Sequence, residues 1–409
     1  MTLLYTFIIH CYALLIRLVA LWHPKARTLV QGRLRSLQLL DELPKAKQKR
    51  FWFHCASLGE YDMALPLIQA CQAADLTLEI VVSFYSPSGM QHYHKRGFEP
   101  FAVFYLPADL PRHMNKVVRL VGASRLYLLK YEFWPNMLRA AKKRELGIYS
   151  IATLLRPKQV YFRWYGAFFR KALNQVLYFG VQDLQTKKLL LVAGVAADKI
   201  ELLGDLRFNR VIDAKQNAQA NVLIAAFAQK QPLLILGSSW PPEEALLSSY
   251  LNFVNFSPPS DLKILIAPHD ISSSHLAQLK ARFPEAMLYS KSTENALKDA
   301  KILILDTIGH LSAAYQYGHL AFIGGGFSGK LHNILEPAAF GLPVMFGPKH
   351  SKFPEAAQFL ALGFAKELST TGKLKANIEE FLNSGEPLRE KISSGVEQMR
   401  VNLPKQIVE

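Results

Sequence analysis

Cysteine is scarce in this sequence: three in 409 residues, Cys11, Cys55 and Cys71, an odd number with no CxxC or Cys/His spacing. That excludes a disulfide framework and a zinc ribbon, and fits a reducing compartment. No HExxH or HxH pairing occurs among the twelve histidines, and no DxD-type acidic pair stands at a strand end, so the residues offer no metal site and no metal-dependent transferase. The Gly-Lys of the glycine-rich run lacks the Ser or Thr of a phosphate-binding P-loop. GxSxG is absent, which argues against an α/β-hydrolase. There is no internal repeat and no low-complexity tract; the Ser/Pro cluster Ser257–Ser260 reads as an ordinary loop.

Acidic residues are also few. The chain carries 48 Lys and Arg against 32 Asp and Glu, a net charge of +16. Such a bias favours anionic partners: nucleic acid, an acidic membrane surface or phosphorylated substrates. No nucleic-acid-binding module is present, and an apolar N-terminus is foreign to that role, so nucleic acid is not expected as a partner. Leu3–Trp22 (LLYTFIIHCYALLIRLVALW) is about one bilayer's worth of apolar helix, broken by Thr6, His10 and Arg17. It has no basic residue before it and no small-x-small site after it, unlike a secretory signal. Lys25, Arg27, Arg33 and Arg35 follow and are candidates for a face that meets anionic head groups or acceptor. A helix spanning the membrane, one lying in its interface and one buried in the first domain all remain open.

Beyond residue 50, β-rich runs alternate with helical stretches. The runs are Phe51–Ala56, Leu78–Ser83, Phe101–Leu106, Arg125–Lys130, Gly147–Ile151 and Val176–Val181, then Leu233–Leu236, Lys263–Ala267, Lys301–Leu305, Leu320–Ile323 and Pro343–Phe346. Several are apolar throughout, as strands buried on both faces of a parallel sheet must be. The expected fold is therefore α/β: two doubly wound Rossmann-like domains facing across a cleft, preceded by a hydrophobic helix. The alternation pauses in the polar stretch Gly204–Asn217. Residues 1–24 are expected to form the membrane-associating helix, 25–207 an N-terminal α/β domain and 208–409 a C-terminal one.

Two constellations carry chemistry. In His54-Cys55-Ala56-Ser57-Leu58-Gly59-Glu60 a strand passes through a Ser/Gly turn into a helix opened by Glu60. A carboxylate there is favoured in its ionised form and suits a general base; it also fits a capping box, and the local pattern leaves both open. In Gly324-Gly325-Gly326-Phe327-Ser328-Gly329-Lys330-Leu331-His332-Asn333-Ile334-Leu335-Glu336 an apolar strand enters a flexible loop, then a helix expected near His332. Its N–H groups and Lys330 suit a phosphate, and Glu336 a ribose diol. Ser238, Pro268-His269 and Ile308-Gly309-His310 stand at further strand ends, as parts of one shared pocket.

Ser57-Leu58-Gly59-Glu60, Ser86-Pro87-Ser88-Gly89, Glu132-Phe133-Trp134-Pro135-Asn136, Gly204-Asp205-Leu206-Arg207-Phe208 and His332-Asn333-Ile334-Leu335-Glu336-Pro337 with Gly347-Pro348 occur in the order that they take in the 3-deoxy-D-manno-octulosonic acid (Kdo) transferases of lipopolysaccharide inner-core synthesis. With the hydrophobic N-terminus, the chain resembles that family over nearly its whole length. The resemblance implies a fold of the glycosyltransferase B type, CMP-Kdo as donor and a lipid A precursor (lipid IVA) as acceptor. It implies inversion without metal or cofactor, at the cytoplasmic face of the inner membrane of a Gram-negative bacterium. It implies Glu60 as the base, Glu132 and Arg207 as transition-state stabilisers, and CMP contacts from Pro268, His269, Ile308, Gly309, His310, Asn333, Ile334, Leu335 and Glu336; Ser238, Gly325, Gly326 and Lys330 join the expected CMP-Kdo site from their places at a strand end and in the glycine-rich loop. Departures are His269 where Arg is usual, Asp205 for Asn, His310 for Glu and Arg207 for Lys. Lys330 can supply the charge missing at 269. The competing expectation is a related two-domain transferase that uses another nucleotide sugar, such as a UDP-hexose.

Overall fold

A computed structural model describes residues 1–254 and 261–409; the loop expected at Ser257–Ser260 lies outside the described residues. The chain forms two compact units, Met1–Arg210 with Val401–Glu409, and Val211–Arg400. The last residues thus belong to the first unit, not to the second domain as expected from sequence. Val401 exchanges hydrogen bonds with the Asn209 side chain, and Ile407 O accepts from Tyr127 Oη at 2.8 Å.

The first unit opens with α1 (Thr2–Val19) and α2 (Pro24–Glu42), then runs β1 (Arg50–Cys55), α3 (Leu58–Ala74), β2 (Glu79–Phe84), α4 (Pro87–His92), β3 (Ala102–Tyr105), α5 (Pro111–Val121), β4 (Arg125–Leu129), α6 (Pro135–Lys143), β5 (Gly147–Thr153), α7 (Ala167–Leu173), β6 (Tyr178–Val181), α8 (Leu184–Val192) and β7 (Ile200–Leu202). The parallel sheet has the order β3-β2-β1-β4-β5-β6-β7. Strand order reverses between β1 and β4, and the crevice beyond the carboxyl ends of such a pair is where open α/β sheets bind ligands. Phe51, Trp52 and Phe53 of β1 are all fully buried, one set on each face of the sheet. Helices start where sequence dictates: α2, α4, α5 and α6 each have proline in the first turn, whose missing N–H costs nothing there. In α5, Met114, Val117, Val118 and Val121 are buried, the spacing of one helix face, and Gly122 ends it in the left-handed conformation. At the amino end of β1 the buried Arg50 guanidinium pairs with Glu79 and donates to Val121 O at 2.7 Å.

The polar stretch expected to be a break is a helix, α9 (Arg207–Gln216), which carries the chain from one unit to the other. The second unit continues with α10 (Val222–Ala228), β8 (Leu233–Ser239), α11 (Pro241–Phe253), β9 (Lys263–Pro268), α12 (Ser273–Arg282), β10 (Met287–Leu288), α13 (Glu294–Asp299), β11 (Ile302–Ile304), α14 (Leu311–Ala314), β12 (Leu320–Ile323), α15 (Leu335–Ala339), β13 (Val344–Phe346), α16 (Pro354–Leu362), β14 (Ala365–Glu367) and α17 (Thr371–Gln398); α18 (Lys405–Val408) lies in the returning tail. Its parallel sheet has the order β10-β11-β9-β8-β12-β13-β14, reversing between β8 and β12.

Candidate active site

Each unit gathers its chemistry at its own switch point. In the first, Glu60 follows β1 and Glu132 follows β4, the two strands between which the order reverses. Glu60 is 6 % exposed, and its Oε2 accepts the Ala56 N–H at 2.5 Å. The Ser57 side chain makes no cap, so Glu60 itself reaches back over the helix start. Burial pushes the Glu60 carboxyl up to about 7; Glu132 pushes the same way, while the Ala56 N–H, Lys130 and the Ser57 N–H hold it back. Burial thus outweighs the helix end that was expected to keep this group ionised. Glu132 is likewise raised by burial, held back by the Trp134 indole N–H, 2.9 Å from Oε2, and by Lys130. A second carboxyl nearby adds to the cost of ionising Glu60 in a site that burial already makes unfavourable for charge.

Lys130 escaped sequence reasoning. It ends the apolar run of β4 in a left-handed backbone, φ 60°, and its charge acts on both carboxyls. A lone cation closing an apolar strand at a sheet's carboxyl edge was the available signal. Arg207, the first residue of α9, is held by Asp205: its Nη2 and Nε lie 2.6 and 2.9 Å from Asp205 Oδ2. Aspartate at 205 therefore fixes the direction of that guanidinium.

In the second unit three strand ends meet. Trp240, after β8, stacks on His269, after β9, with ring centroids 4.5 Å apart, and its indole N–H reaches His332 Nε2 at 3.0 Å. His269 and His332 are also 4.5 Å apart, and burial with His269 beside it lowers His332 to about 4, leaving it a neutral acceptor. Pro268 is buried at the end of β9. His310 has its ring centroid 4.5 Å from that of Tyr289 and lies 3.3 Å from Asn221 Nδ2, while Ile308 is 85 % exposed and Gly309 sits beside it with φ 101°.

The glycine-rich run departs from expectation. Its helix, α15, starts at Leu335 rather than near His332, and Asn333 caps it, Oδ1 accepting the Leu335 N–H at 3.0 Å and Nδ2 donating to Glu336 at 3.0 Å. Ile334 and Leu335 are core residues, 1 % and 0 % exposed, and cannot touch a ligand with their side chains. The N–H groups of Ser328 and Lys330 bond to Gly325 O, that of His332 to Gly324 O and that of Gly325 to Glu243. They are not free to cradle a phosphate. The glycines are needed because chain segments cross here: a Cβ on Gly324 would stand 2.1 Å from Ser238 O, and one on Gly326 2.4 Å from Gly347 N. Ser238 itself has φ 51° at a register shift in β8. Lys330 is exposed on the loop. No group of three or more His, Cys, Asp or Glu suited to a metal occurs among the described residues.

Of the four basic residues after the N-terminal helix, Lys25 and Arg35 are exposed. Arg27 spends its guanidinium on the carbonyls of Ala20 and Leu21, at 3.1 and 2.6 Å, closing the end of α1. Arg33 is 9 % exposed and packs on the Tyr85 ring. Arg33 therefore leaves the expected four-residue surface face, because α2 turns that side inward, while Arg27 stays exposed with its guanidinium engaged by the end of α1. Among the described residues one helix, α1, is long and apolar enough to cross a membrane. Tyr5 on its inner side donates to Asp109 at 2.8 Å, and Leu4, Phe7, Ile8 and Leu15 on the other are exposed.

Residues 30–210 match the family model described as 3-deoxy-D-manno-octulosonic-acid transferase (kdotransferase). The chain is 29 % identical over 392 residues to the 3-deoxy-D-manno-octulosonic acid transferase of Chlamydophila psittaci, covering 91 % of this chain and 88 % of that protein. It is 23 % identical over 357 residues to the enzyme of the same name from Haemophilus influenzae, covering 86 % and 83 %. Among solved structures it is similar to UDP-GlcNAc 2-epimerase from Neisseria meningitidis, with a TM-score of 0.59 and 12 % identity over 86 % of this chain and 99 % of that one, a likeness of fold alone.

Proposed function

We propose that the chain is a 3-deoxy-D-manno-octulosonic acid (Kdo) transferase, a glycosyltransferase of lipopolysaccharide biosynthesis with a fold of the B type, and that it moves Kdo from CMP-Kdo to a lipid A precursor, lipid IVA, with inversion and without a metal. The observation that carries the reading is the buried Glu60 with the half-buried Glu132 near it at the switch point of the first sheet. Glu60 takes the proton of the acceptor hydroxyl as that oxygen attacks the anomeric carbon; the bond to CMP breaks, and the electron pair leaves with the phosphate. Arg207, directed by Asp205, supplies positive charge to the departing phosphate, and Glu132 supports the charge that develops on the sugar. Trp240, His269 and His332 form the surface that receives the donor in the second unit. CMP release from CMP-Kdo, measured beside UDP release from UDP-hexoses, tests the donor. CMP release alone is expected; UDP release alone contradicts it.

A base that titrates near 7 gives activity a pH signature. Only ionised Glu60 accepts a proton, so kcat/KM is expected to rise through about pH 7 and level off above it. Glu132→Gln removes a like charge and moves the inflection down; Lys130→Met removes an attractive charge and moves it up. An inflection unmoved in both variants contradicts this electrostatic grouping.

We place the protein, again as a proposal, at the cytoplasmic face of the inner membrane of a Gram-negative bacterium. Its support is α1, docked by Tyr5 along one side and apolar on the other, which suits a helix lying in the interface. The basic hollow of about 780 Å³ lined by Arg112, Lys116, Arg119, Lys143 and Arg144 suits an anionic surface. In vesicle flotation with anionic lipid, Lys25→Gln with Arg35→Gln is expected to weaken binding roughly 30-fold at low salt and little at high salt, as charges near such a surface contribute about 1 kcal/mol each. Binding that ignores both the charges and the salt contradicts it.

A further inference from the structure

A cavity of about 570 Å³ lies in the first unit, under α1 and α2 and beside the start of α5, apart from the carboxyl pair. Its walls are largely apolar, including Ala13, Leu14, Ile16, Val30, Leu34 and Leu37, and its charged wall residues, Arg17, Arg33 and Arg112, are all cations. The size falls in the range of roughly 300–1,000 Å³ of ligand pockets. Nothing in the lining neutralises those arginines, and Arg17 and His10 help to keep the half-buried His113 below its ordinary range.

Arg33 is the unusual residue. It is more than nine-tenths buried and lines the cavity, yet its Nε and Nη2 have no hydrogen-bond partner among the described residues. A buried guanidinium with unmet donors is costly unless a ligand completes it, and a phosphate matches its fork. The residue is held in place from the other side: its Cζ lies 4.5 Å from the centre of the Tyr85 ring, Tyr85 stacks on Trp134 at 5.3 Å, and the Trp134 indole donates to Glu132 at 2.9 Å. Tyr85 Oη also donates to Tyr12 of α1 at 3.3 Å, tying that helix to this row of rings. Two stacked rings therefore separate the unmatched guanidinium from the carboxyl pair.

We infer that this cavity is the binding subsite for the phosphorylated, acylated end of the glycolipid acceptor, with an acyl chain against Ala13 and Leu34 and a phosphate on Arg33 and Arg112. The inference rests on the proposed acceptor class and adds where that acceptor is gripped. Its apolar and cationic halves match an amphiphile that carries both a chain and a phosphate, and the aromatic row sets the sugar end toward Glu60 and Glu132.

The test measures binding of lipid IVA to the full chain in detergent without donor, together with KM for acceptor and for CMP-Kdo. Arg33→Gln is expected to weaken lipid IVA binding about tenfold and to leave its dephosphorylated form nearly unaffected. Ala13→Trp, which fills the cavity without touching a charge, should weaken both forms. KM for the acceptor should rise in each variant while kcat and KM for CMP-Kdo stay within about twofold. Unchanged lipid binding in Ala13→Trp overturns the subsite even if transfer to lipid IVA proceeds normally. Equal affinity for phosphatidylglycerol also overturns it, since the cavity then serves bulk lipid. If the wild type binds lipid IVA and the variants lose it, yet no Kdo is moved, the subsite stands and the assigned reaction fails.

Discussion

Glu60→Gln is expected to lower kcat by at least about 100-fold, and up to about 10,000-fold, the range that general acid–base groups contribute. The affinity for CMP-Kdo should stay within a few-fold, because the donor groups belong to the other unit. Glutamine keeps an oxygen that can accept the Ala56 N–H, so the start of α3 remains capped. That separates two roles that the residue combines. If Glu60 only closed the helix, the substitution would cost at most about 1 kcal/mol of stability and leave turnover near normal. A melting curve run beside the assay distinguishes these outcomes: turnover lost with the fold intact supports the base, and turnover retained removes it.

Gly326→Ala is expected to destabilise the second unit by roughly 3–5 kcal/mol, among the larger effects of single substitutions. The added Cβ would stand 2.4 Å from Gly347 N and 2.9 Å from its carbonyl oxygen, and backbone on both sides leaves no flexible side chain to give way. Lys330→Gln, on the exposed side of the same loop, should leave the melting temperature within a degree or two. Loss of donor binding in Gly326→Ala without loss of stability would return the glycines to a ligand-binding role. Calorimetry or circular dichroism across the two variants decides it.

These two predictions mark where sequence was informative and where it was not. Strands of four or more residues with apolar character on both faces were visible, β12 to the residue, because burial on two sides leaves an unbroken run. β7, β10 and β14 were not: each has only two or three described residues, and Glu201, Lys366 and Glu367 within them are only half-buried. The helix α9 was hidden by its polarity, since the buried Phe208, Val211 and Ile212 are set among charged residues in a segment where strands and helices change partners. Glu60 was legible from its place after a strand. Its partnership with Glu132 and Lys130 was not, because it depends on β1 and β4 being neighbours across a long stretch of chain. The glycine-rich run misled in the opposite sense. Flexible glycines before a helix suggest a phosphate loop, but the same residues are required wherever two segments of backbone touch. Arg33 differed for a third reason: helical phase, which decides whether a basic residue faces solvent or the body, was set by α2 packing on β3, with Ser36 Oγ accepting the Tyr105 N–H at 2.8 Å.

The most direct measurement is the mass of lipid IVA after incubation with the purified full-length chain and CMP-Kdo, run alongside Glu60→Gln. Acceptor heavier by one or more Kdo residues with the wild type, and unmodified with the variant, is the predicted result. Acceptor left unmodified by a folded wild type, or modified equally by both proteins, contradicts it.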